Sequence, residues 1–188
     1  MTREIITIAG SLGSGKSSTA KAVAAALSYR HFSSGDLFRK IAAERNESVE
    51  AMNLSAETQK DIDYRVDELL REMYANEDKM VIDSRMAWHW MPESFKVFLE
   101  LDADTAAHRI FDHVRKEGRV SEEASSVEDV KASIERRFAS EQKRYFSLYG
   151  VNPTDSNNFN LVINTKENDL QTVIAMVLSA YDAHRSSI

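Results

Sequence analysis

Residues 5–17 read Ile5-Ile-Thr-Ile-Ala-Gly10-Ser-Leu-Gly-Ser-Gly15-Lys16-Ser17, and the order of residue types in this stretch decides the fold. Ile5 to Ala9 is a short β-branched run that halts at a glycine, as a buried strand does. From Ser17 to Leu27 the composition turns alanine-rich and favours helix. The residues between fit G-x-x-x-x-G-K-[ST], in the strand–loop–helix setting that a phosphate-binding loop requires. With glycine at about 7 % of residues, lysine at about 6 % and serine plus threonine at about 12 %, chance yields about 0.006 such matches in a chain this long.

The chemistry explains each position. Glycines let successive backbone N–H groups converge on phosphate oxygens, and the helix N-terminus adds a favourable dipole. Gly10, Ser11, Leu12, Gly13, Ser14, Gly15, Lys16, Ser17 and Ser18 are therefore the candidate ATP-binding residues. Lys16 supplies a point charge to the β- and γ-phosphates, and the Ser17 hydroxyl is suited to Mg²⁺, which prefers oxygen ligands.

Outward from this loop, the same alternation of strand and helix repeats. Tyr29 to Phe32 is a second short apolar segment, after which Ser34 or Asp36 is expected to cap a helix starting near Leu37. Ile62, Val66, Leu69, Leu70 and Met73 recur at spacings of three and four, which predicts an amphipathic helix over Glu57 to Met73. Met80 to Ile82 and Phe95 to Leu101 read as strands separated by a polar-aromatic loop, Ser84 to Pro92. Asp104 to Lys116 is helical by composition, Gly118 to Ser126 is a polar linker, and Val127, Val130, Ile134 and Phe138 resume helical spacing. A turn-rich loop from Gly150 to Asn160 precedes a last strand, Leu161 to Ile163, and a closing helix, Leu170 to Tyr181. Five short strands, each followed by a helical stretch, predict an α/β fold of the P-loop NTPase-like kind: a five-stranded parallel sheet flanked by helices. Ligands bind beyond the carboxyl ends of such strands, where Gly10, Ser34, Asp83, Asp102 and Asn164 fall.

Composition limits the partners. The chain has 188 residues, 43 % hydrophobic and 29 % charged, as ordinary globular proteins do. Its 24 basic and 30 acidic side chains give a net charge of −6, which does not suit wrapping a nucleic-acid polymer. With no cysteine, thiolate metal ligation and a cysteine nucleophile are excluded. No apolar run approaches the roughly 20 residues of a membrane span, and the apolar stretch near the N-terminus is too short for a signal peptide, so a cytoplasmic location is expected.

Several side chains outside the loop carry candidate chemistry. Asp83, at the end of the Met80 to Ile82 strand, is the natural acidic partner of Ser17 in holding a metal's water shell. Arg39 lies one turn into the helix after Ser33-Ser-Gly-Asp36, and Arg85 lies two residues beyond Asp83, so both can face the carboxyl edge of the sheet and hold a second anion. Arg109, Arg115, Arg119, Arg136, Arg137, Lys143 and Arg144 flank the polar linker, and two or three of them are expected to reach a transferred phosphate. His108 and His113 are five apart and share no helix face, so they form no metal site. Trp88 and Trp90 are open to either reading: stacking on an acceptor base, or anchoring the core or a loop.

In order and spacing these motifs resemble the nucleoside monophosphate kinases, most closely the compact, archaeal-type cytidylate kinases. The similar pieces are the phosphate loop, Ser33-Ser-Gly-Asp-Leu-Phe-Arg39, Asp61-Ile-Asp63, Asp83-Ser-Arg85-Met-Ala-Trp88, Ser140-Glu-Gln-Lys-Arg144-Tyr145 with Tyr149-Gly150, and Leu161-Val-Ile-Asn-Thr165. The resemblance implies one domain over residues 1–188, with an acceptor-binding insert at about 39–79 and a lid at about 104–150. It implies ATP as donor and Mg²⁺ as cofactor. CMP or dCMP would bind through Ser34, Gly35, Asp36, Arg39, Asp63 and Arg85, Arg137 and Arg144 would neutralise the transferring phosphoryl group, and Asn164 and Thr165 would lie in the loop carrying the adenine. Lys16, Arg85, Arg137 and Arg144 are the expected catalytic set, and Ser17 and Asp83 the metal ligands. The chain departs from the family at Ser84, where glycine is usual, and in the aromatic run Trp88-His-Trp-Met91. Two other readings share the same loop: a kinase of a different small-molecule acceptor, and a nucleotide-binding regulatory ATPase.

Overall fold

The computed structural model describes residues 3–48, 51–52, 61–116 and 126–187. Five strands, β1 Ile5–Gly10, β2 Arg30–Ser33, β3 Met80–Asp83, β4 Phe95–Glu100 and β5 Leu161–Asn164, form one sheet in the order β2-β3-β1-β4-β5. All four pairings are parallel. The five-stranded parallel sheet expected from the sequence is thus observed. Every residue of β1 and β3 is buried, as central strands covered on both faces must be, whereas β2 and β5 form the less buried edges.

The α-helices delimited among the described residues are α1 Lys16–Leu27, α2 Ser34–Glu44, α3 Asp61–Asn76, α4 Ala87–Trp90, α5 Ala103–Lys116, α6 Val127–Tyr149 and α7 Leu170–Ser186. On one face of the sheet Ile6, Ile8, Val97, Leu99 and Ile163 pack against Val23 of α1 and Val173, Val177 and Tyr181 of α7. On the other, Ile5, Met80 and Ile82 meet Leu70 and Met73 of α3 with Ala87 and Met91 around α4. A smaller cluster joins Ile41 and Ala42 of α2 with Met52 and with Ile62 of α3. At about 25 cal/mol per Å² of apolar surface removed from water, the two layers on the sheet supply most of the driving force and fix which strand ends converge.

The differences from the sequence reading are local. Strand β2 runs one residue later than expected, and α2 is capped by Ser33 rather than by Ser34 or Asp36: the Ser33 hydroxyl accepts a hydrogen bond from the Asp36 amide at 3.2 Å. Ser33 ends an extended strand, so its backbone already has the non-helical geometry a cap needs. The aromatic loop after Asp83 contains the one-turn helix α4, which the periodicity of so short a segment does not show. The start of the helix expected from Glu57, and residues 118–125 of the polar linker, Arg119 among them, lie outside the described residues.

Candidate active site

The phosphate loop is held by the sheet. Gly10 has φ +150°, and a Cβ there would fall 2.3 Å from the Leu99 carbonyl oxygen, so only glycine lets β1 lie this close to β4 as it turns. The Ser11 amide donates to the Leu99 oxygen at 3.0 Å, and the Leu101 amide donates back to Ser11 Oγ at 3.2 Å. Gly15, left-handed at φ +85°, stands at the N-cap of α1 with no side-chain cap, which leaves the first amides of the helix available to an anion. Lys16 Nζ donates to the carbonyl oxygens of Gly10 and Ser11, both at 2.9 Å. Burial pushes the Lys16 pKa down to about 7, and Arg85 nearby adds to that, while Asp83 and Glu141 oppose it.

Asp83 closes the other side of the loop. Its buried carboxylate accepts hydrogen bonds on Oδ2 from Ser17 Oγ and, at 3.3 Å, from Ser33 Oγ. A hydroxyl on the first turn of α1 and a carboxylate at the end of β3 thus meet directly. They form a hard oxygen pair that fits Mg²⁺ shared with a nucleotide's phosphates. Among the described residues no group of three or more histidine, cysteine or carboxylate side chains forms a metal cage.

Two clefts meet here. One, of about 240 Å³, runs along Gly13, Gly15, Lys16, Ser17, Ser18 and Asp83. The other is walled by Phe38, Asp63, Val66, Asp67, Met86 and Arg144. Ser34, Gly35, Arg39, Ser84, Arg85 and Arg137 line both. The candidate acceptor residues are therefore brought to one place, except Asp36, whose carboxylate acts by holding Arg39 Nη2 at 2.5 Å.

The remaining arginines are held by carboxylates. Arg85 Nε lies 2.5 Å from Glu141 Oε2, and Arg137 Nε donates to Glu141 Oε1 at 2.9 Å. Arg144 Nε lies 3.1 Å from Asp63 Oδ2, with both residues buried. Burial raises the Asp63 pKa to about 6 in spite of Arg144, and Asp67 and Glu141 push it the same way. One turn along α3, buried Asp67 accepts from Trp90 Nε1 at 2.8 Å and from the Tyr149 hydroxyl. The Trp88 indole donates to the Arg85 carbonyl at 2.8 Å and packs on Phe159, and Arg71 covers the Trp90 ring at 3.8 Å. Both tryptophans thus anchor the core and the loop, and neither lines a cleft. Asn164 and Thr165 stand apart from both clefts: Thr165 is buried with Oγ1 on the Glu100 oxygen at 3.1 Å, and Arg109 donates to its carbonyl at 2.7 Å. Asn164 Oδ1 accepts from the Lys166 amide at 2.9 Å. The sequence reading gives neither Glu141 nor Asp67 a role in the site, although Glu141 falls within the piece at residues 140–145. The spacing of four from Arg137 to Glu141 signals that pair on a helix, but nothing in the sequence reports that Arg85 joins it.

The model of the cytidylate kinase-like family matches residues 5–167. The chain belongs to this family. It is 34 % identical over 183 residues to a cytidylate kinase of Haloarcula marismortui, covering 96 % of this chain and 90 % of that one. With a cytidylate kinase of Halobacterium salinarum it shares 33 % identity over 185 residues, 97 % of this chain and 91 % of the relative. Among solved structures it is similar to a shikimate kinase from Bacteroides thetaiotaomicron, with TM-score 0.63, 13 % identity and coverage of 95 % and 98 %. A gluconokinase from Sinorhizobium meliloti also gives TM-score 0.63, at 14 % identity and coverage of 99 % and 95 %. At these identities the structural likenesses show the P-loop kinase fold alone. Membership of the cytidylate kinase-like family bears out the kinase reading: the chain is an ATP-dependent phosphotransferase of the nucleoside monophosphate kinase type. No helix among the described residues is long and apolar enough to cross a membrane.

Proposed function

We propose that the chain transfers the γ-phosphoryl group of ATP to CMP or dCMP, giving the nucleoside diphosphate and ADP. The observation that carries this reading is the pair of clefts that share Arg39, Arg85 and Arg137. One cleft follows a phosphate loop and the other adds Arg144 to the shared arginines, so it offers guanidinium groups to a second phosphate, an arrangement a nucleotide switch has no use for. The preference for cytidine rests on the archaeal relatives, which carry the name cytidylate kinase. ATP and CMP are both cytoplasmic metabolites, which accords with that location.

An oxygen of the acceptor's phosphate attacks the γ-phosphorus, the bond to the β,γ-bridging oxygen breaks, and ADP leaves with that oxygen. The acceptor is already ionised at neutral pH, so no side-chain base is needed, and catalysis consists of alignment and charge neutralisation. The amides of residues 10–17 and Lys16 hold the donor's phosphates, and Lys16 exchanges its two carbonyl partners for them. Arg39 and Arg85 hold the acceptor's phosphate, with Ser34 and Gly35 beside them. Arg137 and Arg144 face the phosphoryl group in transit, and Asp63 holds Arg144 until then. Ser17 and Asp83 would hold Mg²⁺, which when bound would help neutralise the donor's phosphate charge. Asn164 and Thr165 shape the loop that would carry the adenine. The acceptor-binding insert spans about 39–79 and the lid about 104–150.

The test is release of ADP from Mg·ATP with and without CMP, dCMP, UMP, AMP and a panel of non-nucleotide acceptors. Stimulation by CMP or dCMP at least about tenfold above the other nucleotides is the expected result. Turnover independent of every acceptor, or dependent only on a non-nucleotide, would overturn the reading.

A further inference from the structure

Glu141 has no role in the phosphate chemistry above, yet it lines the second cleft and contacts Arg85 and Arg137, which line both. Its side chain is 7 % exposed, and a buried anion beside a phosphate site opposes phosphate binding by repulsion. Something must compensate for that. The Glu141 oxygens are divided between two arginines that come from separate elements, Arg85 from the segment after β3 and Arg137 from one turn earlier in α6. Without a carboxylate between them, two partly buried guanidinium groups lining the same clefts would repel each other. Burial and Arg85 already hold the Arg137 pKa down, with Glu141 acting against both.

The geometry of the contacts is as informative as the charge. Both arginines meet Glu141 through Nε, and among the described residues the terminal Nη atoms of both carry no partner. A guanidinium held by its inner nitrogen keeps its outer nitrogens available for a phosphate oxygen. We propose that Glu141 is a positioning residue that ties Arg85 and Arg137 to one point, so that both present their Nη atoms to the phosphoryl group passing between donor and acceptor. This rests on the reading of Arg85 and Arg137 as phosphate ligands, and it gives the acceptor arginine and the lid arginine a shared anchor.

The experiment is steady-state kinetics with Mg·ATP and CMP on wild type, Glu141→Gln, Arg137→Lys and the double variant, with thermal unfolding of each. Gln keeps the size of the side chain and removes its charge. Glu141→Gln is expected to lower kcat about 10- to 100-fold while the KM for ATP stays within about twofold, and the Arg137→Lys loss of about tenfold is expected to shrink below about twofold in the Glu141→Gln background. A side chain needed only for folding would leave the two losses multiplicative. Should Glu141→Gln not fold, Glu141→Asp, which keeps the charge but reaches only one arginine, runs through the same cycle. A wild-type kcat in either Glu141 variant, or losses that multiply, overturns the proposal. A wild type that does not use CMP overturns the acceptor assignment instead, so the two failures are distinguishable.

Discussion

The two clefts of this site are built from different materials. The phosphate loop is main chain: contiguous amides, fixed by a glycine packed on β4 and by hydrogen bonds to Leu99 and Leu101. The second cleft is side chain: Arg39, Arg85, Arg137 and Arg144 come from three separate segments, the last two from α6, and each is held by a carboxylate. A backbone cradle is paid for once, by the fold, and serves any triphosphate. A cluster of paired arginines must be assembled from distant parts, and its partners can be exchanged for a ligand's phosphates. The two halves should therefore respond independently to substitution.

The largest effect is expected at Lys16. Lys16→Met removes the charge over the β- and γ-phosphates and should lower kcat by about 10²- to 10³-fold, with CMP affinity by calorimetry unchanged within about threefold. Its thermal stability should hold or rise, because a desolvated ammonium is replaced by an apolar side chain. At Arg85 the division reverses. Arg85→Ala should reduce kcat/KM for CMP about 100-fold while ATP affinity stays within about threefold, and a parallel collapse of ATP binding would erase the distinction between the two sides.

A third, smaller effect follows from the Lys16 pKa of about 7 in the free protein. The group is lowered from its usual 10.5, so above pH 7 it is largely neutral. A bound triphosphate favours the charged form, so binding takes up a proton there and ATP affinity should fall by up to about tenfold per pH unit from 7 to 9. Calorimetry in buffers of different ionisation enthalpy reads the proton directly, and Lys16→Met should abolish it; a flat profile in wild type would show that Lys16 stays charged. The smallest effect on catalysis is expected at Trp90. Trp90→Phe leaves buried Asp67 short of a donor and should cost about 1–3 kcal/mol of stability in denaturant unfolding, with kcat changed less than about threefold.

The same division governs what the sequence discloses. The loop is contiguous, so Gly10, Gly15, Lys16 and Ser17 can be read together, and a parallel sheet follows from buried strands that alternate with helices. Asp83 is legible because it ends a strand beside that loop. Glu141 and Asp67 are not, since a carboxylate in a charged amphipathic helix looks the same whether it faces water or a guanidinium from another element. Ser33 does not stand out in the sequence as the cap for a related reason: several hydroxyls and an aspartate stand in a row, and only the end of β2 decides among them. The role of Trp88 depends on where Phe159 arrives, which local periodicity does not encode.

Helix α6 runs for 23 residues to Tyr149, whose hydroxyl is tied to Asp67 of α3. At 1.5 Å per residue it is about 34 Å long, which makes it a lever with its fulcrum beside the second cleft. A tilt of about 10° around the tied end would displace Arg137 by roughly 3 Å and the Ser126 end by roughly 6 Å. The fastening that looks like mere packing thus sets a gear ratio: small rotations near Asp67 become, at Arg137, displacements on the scale of one hydrogen bond.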